Sequence, residues 1–430
     1  MESKDHHVVI VGGGFGGIRA AQYLKHAPVR VTLIDRRNFH LFQPLLYQVA
    51  TGGLSPANIA APLRAVLKHH ANTRVLLGEV VGVDVTKKEV ILKDGRVPYD
   101  TLILAAGSRH HYFGKDQWEE LAPGLKTVED ATEIRRRVLL AFEQAEREND
   151  LEKRKALMTF VIVGGGPTGV ELAGALSEIA RLTMRRNFRN IDPGSANIIL
   201  LEGAERILPP FPPELSAQAQ KGLEKLGVNV RTRCSVTDLK PGEVIVKQNE
   251  KVETIPARTV MWAAGVAASP LGKALAQATG CELDKGGRIV TAPDLTVPGH
   301  PNIFVIGDLA HFKHGLERPL PGVAPVAMQQ GRYVADLIQA RLRGKSLPPF
   351  KYRDKGSMAT IGRSFGVVDL GWLRFTGFFA WLTWLFVHLM YLVRFENRVL
   401  VFFQWAWNYI TRGRSARLIT ETWEEARQQK

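Results

Sequence analysis

The sequence predicts an α/β protein built from two similar units, followed by an amphipathic helical region at the C-terminus. A glycine-rich run follows a short aliphatic segment twice, at residues 12–17 and at residues 164–169. Each run is followed by the same order of short predicted strands, which indicates an internal duplication. Near the C-terminus, 19 consecutive residues from Phe375 to Val393 carry no charge and include several aromatic side chains.

The two glycine runs have the same spacing, and each lies where a strand is predicted to turn into a helix. The first reads G-G-G-F-G-G after the aliphatic residues 8–11, and the second reads G-G-G-P-T-G after residues 160–163. In the G-x-G-x-x-G pattern the glycines permit a tight turn, close approach of a pyrophosphate to the backbone, and contact between helix and strand. The helix N-terminus then faces the phosphates. The pair predicts two Rossmann-like dinucleotide-binding domains, against the alternative of two glycine turns without ligands.

An acidic residue ends the next predicted strand in both halves of the chain. Asp35 closes the segment 29–35 and Glu202 closes the segment 197–202. A carboxylate at this position accepts hydrogen bonds from ribose hydroxyls and repels a 2'-phosphate, which favours NADH over NADPH in the second half. Arg206 stands close enough in sequence to weaken that preference, and a solvated strand-end carboxylate is the alternative interpretation.

The strands that follow repeat in order. The first half has strands predicted over 75–84, 89–100 and 101–108, and the second half has them over 228–238, 244–246 and 259–266. A further aliphatic segment, 301–308, has no counterpart and is predicted to complete the first unit. It ends in Gly-Asp, which puts Asp308 at the carboxyl edge of the sheet, where open α/β folds bind ligands. The charge-rich stretch 133–155 is predicted to be a solvated helix and connector.

Composition limits the class of protein and of partner. The chain has 430 residues with 45% hydrophobic content, and a formal net charge of +15 from 57 Lys and Arg against 42 Asp and Glu. The basic residues are spread along the chain and no nucleic-acid module is recognisable, so an anionic membrane surface or an anionic cofactor explains the charge better.

Cysteine and histidine usage argues against several chemistries. Cys234 and Cys281 are the only cysteines, and they form no spaced pair, so a disulfide framework, a thiolate metal site and a redox-active dithiol are unsupported. The histidine pairs lack acidic or cysteine partners at ligand spacing, so no metal site is predicted. The residues before the first strand contain no apolar signal core, so we expect the catalytic domains in the cytoplasm. The histidines in question are His6, His7, His69, His70, His110, His111, His311 and His314.

The uncharged C-terminal segment is long enough to span a membrane, but its flanks argue for another arrangement. Arginines stand on both sides, and a single span would carry the later ones outside, against the positive-inside tendency. Segment 399–411 is too short to return and is amphipathic at helical spacing. We therefore predict two interfacial helices within about 372–412, with a spanning helix or a buried dimer interface as alternatives. The expected polar stripe is Asn397, Gln404, Asn408 and Arg412, opposite Phe402, Phe403, Trp405 and Tyr409.

Taken together, these motifs resemble the type II NADH dehydrogenases (NADH:quinone oxidoreductases) of the FAD-dependent pyridine nucleotide-disulfide oxidoreductase superfamily. The resemblance extends over nearly the whole chain: both glycine runs, F-Q-P-L-L-Y-Q-V-A at 42–50, Gly307-Asp308, A-M-Q-Q-G at 327–331, and the tail. It implies a non-covalent FAD domain at 1–110 and 290–345, an inserted NADH domain at 111–289, and a C-terminal domain at 346–430. The implied activity is oxidation of NADH by FAD without proton pumping, with electrons passing to a membrane quinone at the cytoplasmic face of the inner membrane. A homodimer is possible.

The resemblance also implies contacts for each cofactor. For FAD, it places Gly12, Gly14 and Gly17 on the pyrophosphate, Asp35 on the adenosine ribose, and Asp308 on the ribityl or pyrophosphate region. Backbone groups near Ala327 and Gln329 would reach the flavin ring, where helix N-terminal amides stabilise negative charge. Further FAD candidates are Phe15, Gly16, Arg36, Val80, Ala106 and Gly107. The NADH candidates are Gly164, Gly166, Thr168, Gly169, Glu171, Glu202, Ala264 and Gly265.

Two residues are the candidate catalytic groups. Glu171 lies in the first predicted helical turn after the second glycine run, where the family glutamate contacts the nicotinamide, and a desolvated carboxyl there could hold or relay a proton. Lys355 matches a family lysine near the flavin and quinone. The alternatives are a first-turn Glu favoured by the helix dipole and an ordinary loop lysine.

The predicted quinone residues are Pro325, Gln329 and Met358. Family members often carry A-Q-x-x-x-Q in the quinone pocket, whereas this chain reads A-P-V-A-M-Q at 324–329, so Pro325 removes one amide. A sulfide:quinone oxidoreductase, a ferredoxin-type reductase, and a flavin redox sensor or membrane scaffold remain alternatives. The first of these needs cysteines beside the flavin, which this chain lacks at the matching segments.

Overall fold

The computed structural model describes residues 6–419. Its strands are β1 His6–Val11, β2 Val29–Asp35, β3 Phe39–Leu41, β4 Ala60–Pro62, β5 Thr73–Leu77, β6 Val80–Asp84, β7 Glu89–Leu92, β8 Gly95–Pro98, β9 Thr101–Leu104, β10 Ser108–His110, β11 Thr159–Val163, β12 Asn197–Leu201, β13 Val228–Arg231, β14 Cys234–Lys240, β15 Glu243–Gln248, β16 Lys251–Pro256, β17 Thr259–Trp262, β18 Val266–Ala268, β19 Ile289–Val290, β20 Thr296–Val297, β21 His300–Val305, β22 Ala310–His311, β23 Ser357–Ile361, β24 Phe365–Asp369 and β25 Arg374–Gly377.

The α-helices are α1 Phe15–Tyr23, α2 Leu46–Ala50, α3 Pro56–Ile59, α4 Leu63–Val66, α5 Trp118–Leu121, α6 Val128–Arg147, α7 Leu151–Leu157, α8 Pro167–Glu178, α9 Pro213–Lys225, α10 Leu271–Thr279, α11 Ala324–Leu342, α12 Phe378–Tyr391 and α13 Phe395–Thr411. Helix α8 continues into a short π-helix, Ile179–Thr183, and 3₁₀ turns cover Gln43–Leu45, Pro193–Ser195 and Gly307–Leu309. The predicted strands at 29–35 and 301–308 correspond to β2 and β21.

Residue contacts divide the described chain into two compact units. The first contains residues 6–41, 60–109 and 266–355, and the second contains residues 42–59, 110–265 and 356–419. The two units contain sheets of the same design. In the first, β9, β1, β2 and β5 lie side by side and parallel, and in the second β17, β11, β12 and β13 do the same. Each unit also has a three-stranded antiparallel sheet, β6-β7-β8 or β14-β15-β16. The predicted internal duplication is therefore present as repeated topology.

Strand β21 extends the sheet of the first unit, as predicted for residues 301–308. It pairs in parallel with β9, and β20 then pairs antiparallel with β21 at the edge. Strands β1 and β9, and residues 303–305 of β21, are buried on both faces, which accounts for the continuous apolar sequence of these stretches. Because parallel strands share one carboxyl edge, the residues that follow β1, β2, β9 and β21 lie along the same edge of the sheet.

The first unit boundary, 109/110, lies within one residue of the predicted 110/111, whereas the second, 265/266, precedes the predicted 289/290. Residues 266–289 belong to the first unit, because α10 packs on β6 and buries Leu275 in a core shared with Val83 and Leu104. Residues 356–419, within the predicted C-terminal domain, belong to the second compact unit, because β23 packs on α8 and α13 packs on α3. Both assignments arise from packing between segments far apart in sequence.

The charge-rich stretch 133–155 also differs from its prediction. It belongs to two helices, α6 and α7, which are divided near residue 149. Helix α6 is amphipathic rather than solvated throughout: Ile134, Val138 and Phe142 are fully buried on one face, and charged residues occupy the other. Thr127 and Asp130 form a capping box at its start.

Candidate functional site

The two glycine runs adopt the same close-packed turn. Gly12 and Gly164 have φ of +105° and +107°, a region that side chains rarely occupy. A Cβ on Gly17 would lie 1.8 Å from the Gly12 carbonyl oxygen, and a Cβ on Gly169 would lie 1.9 Å from the Gly164 carbonyl oxygen. Only glycine fits these positions. Each turn is followed directly by a helix, α1 or α8.

The middle glycines face open space. A Cβ at Gly14 or at Gly166 would meet no protein atom within 4 Å. Both residues are N-caps, and glycine has no side chain to accept hydrogen bonds from the first N–H groups of the helix. Their helix N-termini therefore keep backbone N–H groups and room for an anionic group, as a pyrophosphate requires. The sequence A-A-G follows a strand twice, at 105–107 after β9 and at 263–265 after β17. Gly107, at the end of the first A-A-G segment, is likewise open.

The strand-end acids make matching hydrogen bonds, a feature that the sequence did not predict. The Asp35 carboxylate accepts from the backbone N–H groups of Gly13, at 2.6 Å, and Arg37, at 2.7 Å. The Glu202 carboxylate accepts from Gly165, at 2.6 Å, and Ala204, at 2.7 Å. Each oxygen retains a second acceptor site for a ligand hydroxyl. In both units the acid thus binds the glycine turn and lies at the sheet edge beside it.

The remaining FAD candidates lie in the first unit. Asp308 follows β21 and accepts a hydrogen bond of 2.6 Å from the Ser108 hydroxyl, so the ends of the 101–108 and 301–308 segments meet. Ala327 is buried in α11, and Gly16 lies against its carbonyl oxygen. Among the other FAD candidates, Phe15, Val80 and Ala106 are partly buried and Arg36 is exposed.

Two first-unit residues missed by the sequence analysis support this edge. His40 is buried, and its Nδ1 lies 2.9 Å from the Gly13 carbonyl oxygen; burial lowers its pKa, so the ring is neutral at pH 7. Gln330 is fully buried, and its side-chain oxygen accepts a 2.7 Å hydrogen bond from the Gly307 N–H. A glutamine in the apolar face of α11 could have been noticed. His40 had no sequence signal.

The Gln329 side chain holds a neighbouring backbone segment of the first unit. Its side-chain amide donates to the Arg353 carbonyl at 2.9 Å and accepts from the Arg353 N–H at 3.0 Å. These two bonds hold the segment that leads to the exposed Lys355. Pro325 lies in the first turn of α11, where the missing N–H leaves no helical hydrogen bond unmade. Pro325, Gln329 and Lys355 belong to the first unit, whereas Met358, in β23, belongs to the second.

The NADH candidates of the second unit surround its sheet edge. Thr168 is exposed in the first turn of α8, and Ala264 and Gly265 follow β17. A Cβ on Gly164 would lie 2.7 Å from the Ala263 carbonyl carbon, so this turn contacts the second A-A-G segment directly. Gly12 has the same relation to Ala105, at 2.4 Å from its oxygen.

Glu171 is buried inside the second unit. Its Oε1 accepts a 3.1 Å hydrogen bond from the Trp384 indole and a 3.4 Å contact from the Thr360 N–H. Burial raises the pKa of the Glu171 carboxyl to about 8, although both donors favour the charged form. A protonated carboxyl at neutral pH is therefore available here. Neither Thr360 nor Trp384 was predicted.

Close backbone contacts bring these partners to Glu171. A Cβ on Gly174 of α8 would lie 2.8 Å from the Gly362 N atom, after β23. A Cβ on Gly366 of β24 would lie 2.8 Å from the Trp381 N atom of α12. Glycine at these two positions lets α8, the β23-β24 hairpin and α12 pack closely enough for Trp384 to reach Glu171.

A cavity of about 440 Å³ opens beside this carboxyl within the second unit. Its walls are mostly apolar, and α12 and α13 supply many of them. A buried ion pair lies on its polar side: Arg414 donates to Glu178 at 2.9 Å, and the Arg363 N–H donates to the same carboxylate at 2.5 Å. Burial raises the pKa of Glu178 despite these partners. The lining residues include Glu171, Glu178, Leu385, Leu389, Phe402 and Trp405.

Helix α13 carries Asn397, Gln404 and Asn408 of the predicted polar stripe, and this side faces the protein. Arg412 lies beyond the end of the helix and is exposed. Asn397 donates to the Ala57 and Asn58 carbonyls, and Asn408 donates to the Gly53 carbonyl. Trp405, predicted on the aromatic face, instead donates to the Gln48 side chain at 2.7 Å. The opposite face is exposed and apolar: Phe402, Phe403, Trp407 and Ile410 are 54%, 65%, 66% and 78% exposed.

Helix α12 is also two-faced, with Ala380 and Trp384 buried and Phe379 and Phe386 exposed. Helix α12 begins at Phe378, later than the predicted start near residue 372, because residues 374–377 form β25. Among residues 6–419, no helix combines the length and apolar character needed to cross a membrane.

The histidine and cysteine predictions can be placed as well. His7 is buried in β1 against the Thr32 hydroxyl, so it is a core residue rather than a surface one. His110 pairs with Asp130 and His311 with Asp284. Cys234 lies in β14 of the second unit and Cys281 in the first unit, both as free thiols.

Comparison with known proteins defines the class. Residues 6–331 match the model of the pyridine nucleotide-disulphide oxidoreductase family, and residues 355–415 match the NDH2 C-terminal domain. The chain is 47% identical to the type II NADH:quinone oxidoreductase NdhA of Mycobacterium tuberculosis over 96% of its own length and 89% of that protein. It is 31% identical to the type II NADH:quinone oxidoreductase of Staphylococcus haemolyticus over 85% and 90% of the two chains.

Solved structures agree with this fold. NDH2 from Plasmodium falciparum in complex with NADH superposes with a TM-score of 0.88, at 21% identity, covering 97% of this chain and 100% of the other. The sulfide:quinone oxidoreductase of Aquifex aeolicus gives a TM-score of 0.71 at 17% identity, covering 98% and 94%. Sequence and fold together show that the chain belongs to the type II NADH:quinone oxidoreductases.

Proposed function

We propose that this chain oxidises NADH and reduces a quinone, with FAD in the first unit and NADH in the second. The sequence identity to type II NADH:quinone oxidoreductases over nearly the full chain carries this assignment. The repeated glycine turn with its strand-end acid supports two dinucleotide sites, one in each Rossmann-like unit. The proposed domain bounds follow the compact units rather than the sequence motifs alone.

The first-unit residues fit FAD. Gly14 and Gly107 leave open space where a Cβ would otherwise stand, and Asp35 lies at the same edge with acceptor capacity for a ribose. Asp308 and the N-terminus of α11 would hold the remainder of the group without a covalent bond. When bound, FAD supplies hydride acceptance and electron delivery, and the protein places and tunes it.

In the second unit, Gly166, Thr168 and Glu202 would hold the pyrophosphate and adenosine ribose of NADH. The Glu202 carboxylate lies close to the Gly165 N–H, and its charge disfavours a 2'-phosphate. The first unit thus retains its cofactor, while the second admits a dinucleotide that exchanges at each turnover.

Glu171 would hold a proton and pass it on at its carboxyl oxygens. The quinone gains two protons on reduction, and a carboxyl that remains protonated to about pH 8 is a suitable donor at neutral pH. Lys355, Gln329, Pro325 and Met358 remain proposed contributors near the flavin and quinone. The Gln329 side chain acts there through the segment it holds, because Arg353 occupies both ends of its amide.

The exposed faces of α12 and α13 support attachment to a membrane surface without crossing it. Their polar residues bond inward, so the outward residues are the aromatic and aliphatic ones. Arginines flank both helices and suit lipid phosphates. A quinone is lipid-soluble, so this attachment places the enzyme beside its second substrate. Attachment at the cytoplasmic face, and a homodimer, are further proposals.

The alternatives are disfavoured by particular residues. A sulfide:quinone oxidoreductase needs cysteines beside the flavin. Cys234 lies in the antiparallel sheet of the second unit, and Cys281 packs against the hydrophobic core of the first unit after α10. A ferredoxin-type reductase explains the two nucleotide sites but leaves the apolar faces of α12 and α13 unexplained.

An anaerobic NADH titration of the purified holoenzyme tests the proposal. We expect NADH to bleach the flavin absorbance at once and a short-chain quinone to restore it, whereas sulfide does not bleach it. Failure of quinone to reoxidise the flavin would contradict the assigned function. Reoxidation by a ferredoxin but not by quinone would favour the soluble reductase.

A further inference from the structure

The Glu171 carboxyl is held from one side only. Both hydrogen bonds that residues 6–419 make to it reach Oε1, from the Trp384 indole and the Thr360 backbone. Glu171 and Trp384 are 8% and 1% exposed, so water does not replace these donors. Glu171 also lines the cavity. We assign proton exchange to Oε2, because both hydrogen bonds reach Oε1.

The Trp384 side chain is itself fixed. The His388 ring stacks on it at 4.0 Å between centroids with a 23° interplanar angle, and His388 Nδ1 lies 2.7 Å from the Trp384 carbonyl oxygen. The rings of Tyr47 and Trp405 also pack against it, with centroid-to-centroid distances of 6.2 Å and 6.1 Å. An indole enclosed in this way presents its N–H in one direction, because rotation would displace several packed rings.

We propose that Trp384 is a positioning residue that orients the Glu171 carboxyl and sets how readily it releases a proton, a role that rests on the proposed function. The indole N–H favours the carboxylate by a charge-assisted hydrogen bond. It therefore opposes burial, which favours the neutral acid. The balance of these two effects keeps Glu171 able to exchange its proton near neutral pH.

The other titratable groups around Glu171 do not take over this role. Burial lowers the pKa of His388 to about 4, so its ring is neutral, and burial raises the pKa of Tyr47 well above its ordinary value. Glu178, two turns further along α8, is paired with Arg414. The Arg363 guanidinium bonds to the Tyr409 carbonyl, and Arg412 is exposed on the cavity rim. Within residues 6–419 no cation bonds to Glu171, so hydrogen-bond donors provide its specific stabilisation.

The chain offers a matched control for this indole. Trp405 lines the same cavity and donates its own Nε1–H, at 2.7 Å, to the neutral amide of Gln48. W405F removes an indole donor of the same kind, keeps an aromatic ring on the side that packs against Trp384, and leaves both hydrogen bonds of Glu171 in place. E171Q identifies the part of the pH profile that belongs to Glu171.

The experiment measures NADH:quinone turnover against pH for wild type, E171Q, W384F and W405F holoenzymes with a water-soluble quinone. We expect wild-type turnover to fall with an apparent pKa near 8 and E171Q to lack this alkaline limb. W384F should move the limb upward by about one pH unit, the effect of losing one donor to a carboxylate. At pH 9 the variant would then keep about half of its plateau rate and the wild type about a tenth. W405F should leave the limb in place.

Two results overturn the proposal in distinguishable ways. If E171Q removes the limb but W384F leaves it unmoved, Trp384 only fills space, and the proposed function stands. If E171Q retains the limb, the proton role of Glu171 itself is wrong, and the role of Trp384 fails with it. Should W384F not yield holoenzyme, benzothienylalanine at position 384 preserves the ring shape and removes only the N–H. In that variant the C=O band of the Glu171 carboxyl, followed by infrared titration, should disappear at a pH about one unit higher than in wild type. An unchanged titration of this band would refute the proposal.

Discussion

Asp35 and Glu202 show how a strand-end carboxylate performs the same task in both units. Each carboxylate accepts one hydrogen bond from the N–H of the second glycine of the run. It accepts another from the N–H of the residue two positions after the acid itself. These bonds fix the carboxylate and leave its remaining lone pairs toward a ligand. The acid therefore stabilises the turn and recognises the ribose with the same two oxygens.

Glu202→Gln should weaken NADH binding and also destabilise the glycine turn, because the amide keeps only one of the two oxygens that accept from Gly165 and Ala204. The amide loses a charge-assisted acceptor for the ribose, worth about 1.5–3 kcal/mol, so we expect the KM for NADH to rise by about tenfold or more. Discrimination against NADPH should fall as well, because the repelling charge is gone. Steady-state kinetics with both nucleotides measure this. Glu205→Gln is the control, since Glu205 is an exposed partner of Arg233. Equal effects of the two substitutions would contradict the ribose role.

Glu171 should make stability depend on pH. Its folded-state pKa of about 8 lies above its ordinary value of 4.5, so the folded protein keeps a proton that the unfolded chain releases between these values. Its contribution to stability is full below pH 4.5 and is lost as pH rises to about 8, at about 1.4 kcal/mol per pH unit. Glutamine has no such proton. The Tm of E171Q minus the Tm of wild type should therefore increase from pH 5 to 8 and stay constant above pH 8. Parallel Tm curves across this range would show that the carboxyl is not protonated in the fold.

At the scale of elements, the sequence predicted well what depends on local order. The strand before each glycine turn, the helix after it, and the acid-bearing strand follow from short patterns of aliphatic, glycine and acidic residues. The two faces of α13 also follow from helical spacing. Which face would point inward could not be predicted, because Ala57, Asn58 and Gly53 offer their carbonyls from a segment more than 300 residues away in sequence.

The glycine turn before α1 allows its two roles to be separated. Gly12→Ala should prevent stable folding of the first unit, because its Cβ would lie 2.4 Å from the Ala105 oxygen at a φ of +105°. Gly14→Ala meets no protein atom, so the protein should fold while its FAD content falls several-fold. Flavin absorbance per protein and the Tm of the apoprotein measure the two effects. Full FAD occupancy in Gly14→Ala would argue against a pyrophosphate at this turn.

The two faces of α13 should respond oppositely to substitution. Phe403→Ser together with Trp407→Ser removes exposed apolar surface, so vesicle binding should fall by at least tenfold while the Tm stays unchanged. Asn397→Leu leaves two carbonyl partners without a donor, at a cost of about 1–3 kcal/mol, and should lower the Tm. Sedimentation with vesicles and thermal unfolding distinguish these effects. A loss of Tm in the double serine variant would indicate a buried protein interface instead.

The whole molecule combines a duplicated Rossmann-like scaffold with further segments, such as α10 and the β23-β25 sheet, whose unit is not evident from the sequence. Repeated topology was predictable because each half carries its own full set of local signals. The bounds of the units were not predictable. Contacts with segments distant in sequence decide that α10 belongs to the first unit and the β23-β25 sheet to the second. The same limit applies to Glu171: its position in a helix was predictable, but its bond to Trp384 joins residues 213 positions apart.

The net charge of +15 should make membrane binding depend on salt as well as on apolar surface. We expect stronger binding to vesicles containing anionic lipid than to zwitterionic vesicles, with the difference shrinking as ionic strength rises from about 0.05 to 0.5 M, where the screening length falls below about 5 Å. The variant with serine at positions 403 and 407 should retain the salt-sensitive part. Binding that is independent of lipid charge would assign attachment to the aromatic faces alone.

Helix α12 imposes a constraint on length. Its exposed rings and Trp384 occupy opposite sides of one continuous helix, and each added or deleted residue turns all later residues by about 100°. An insertion between Phe379 and Trp384 would swing the indole away from Glu171 and bring a different side chain to the carboxyl. Substitutions on the outer face can accumulate freely within apolar chemistry, but insertions and deletions cannot. Natural variants of this helix should therefore differ in composition while keeping the same number of residues between β25 and Trp384.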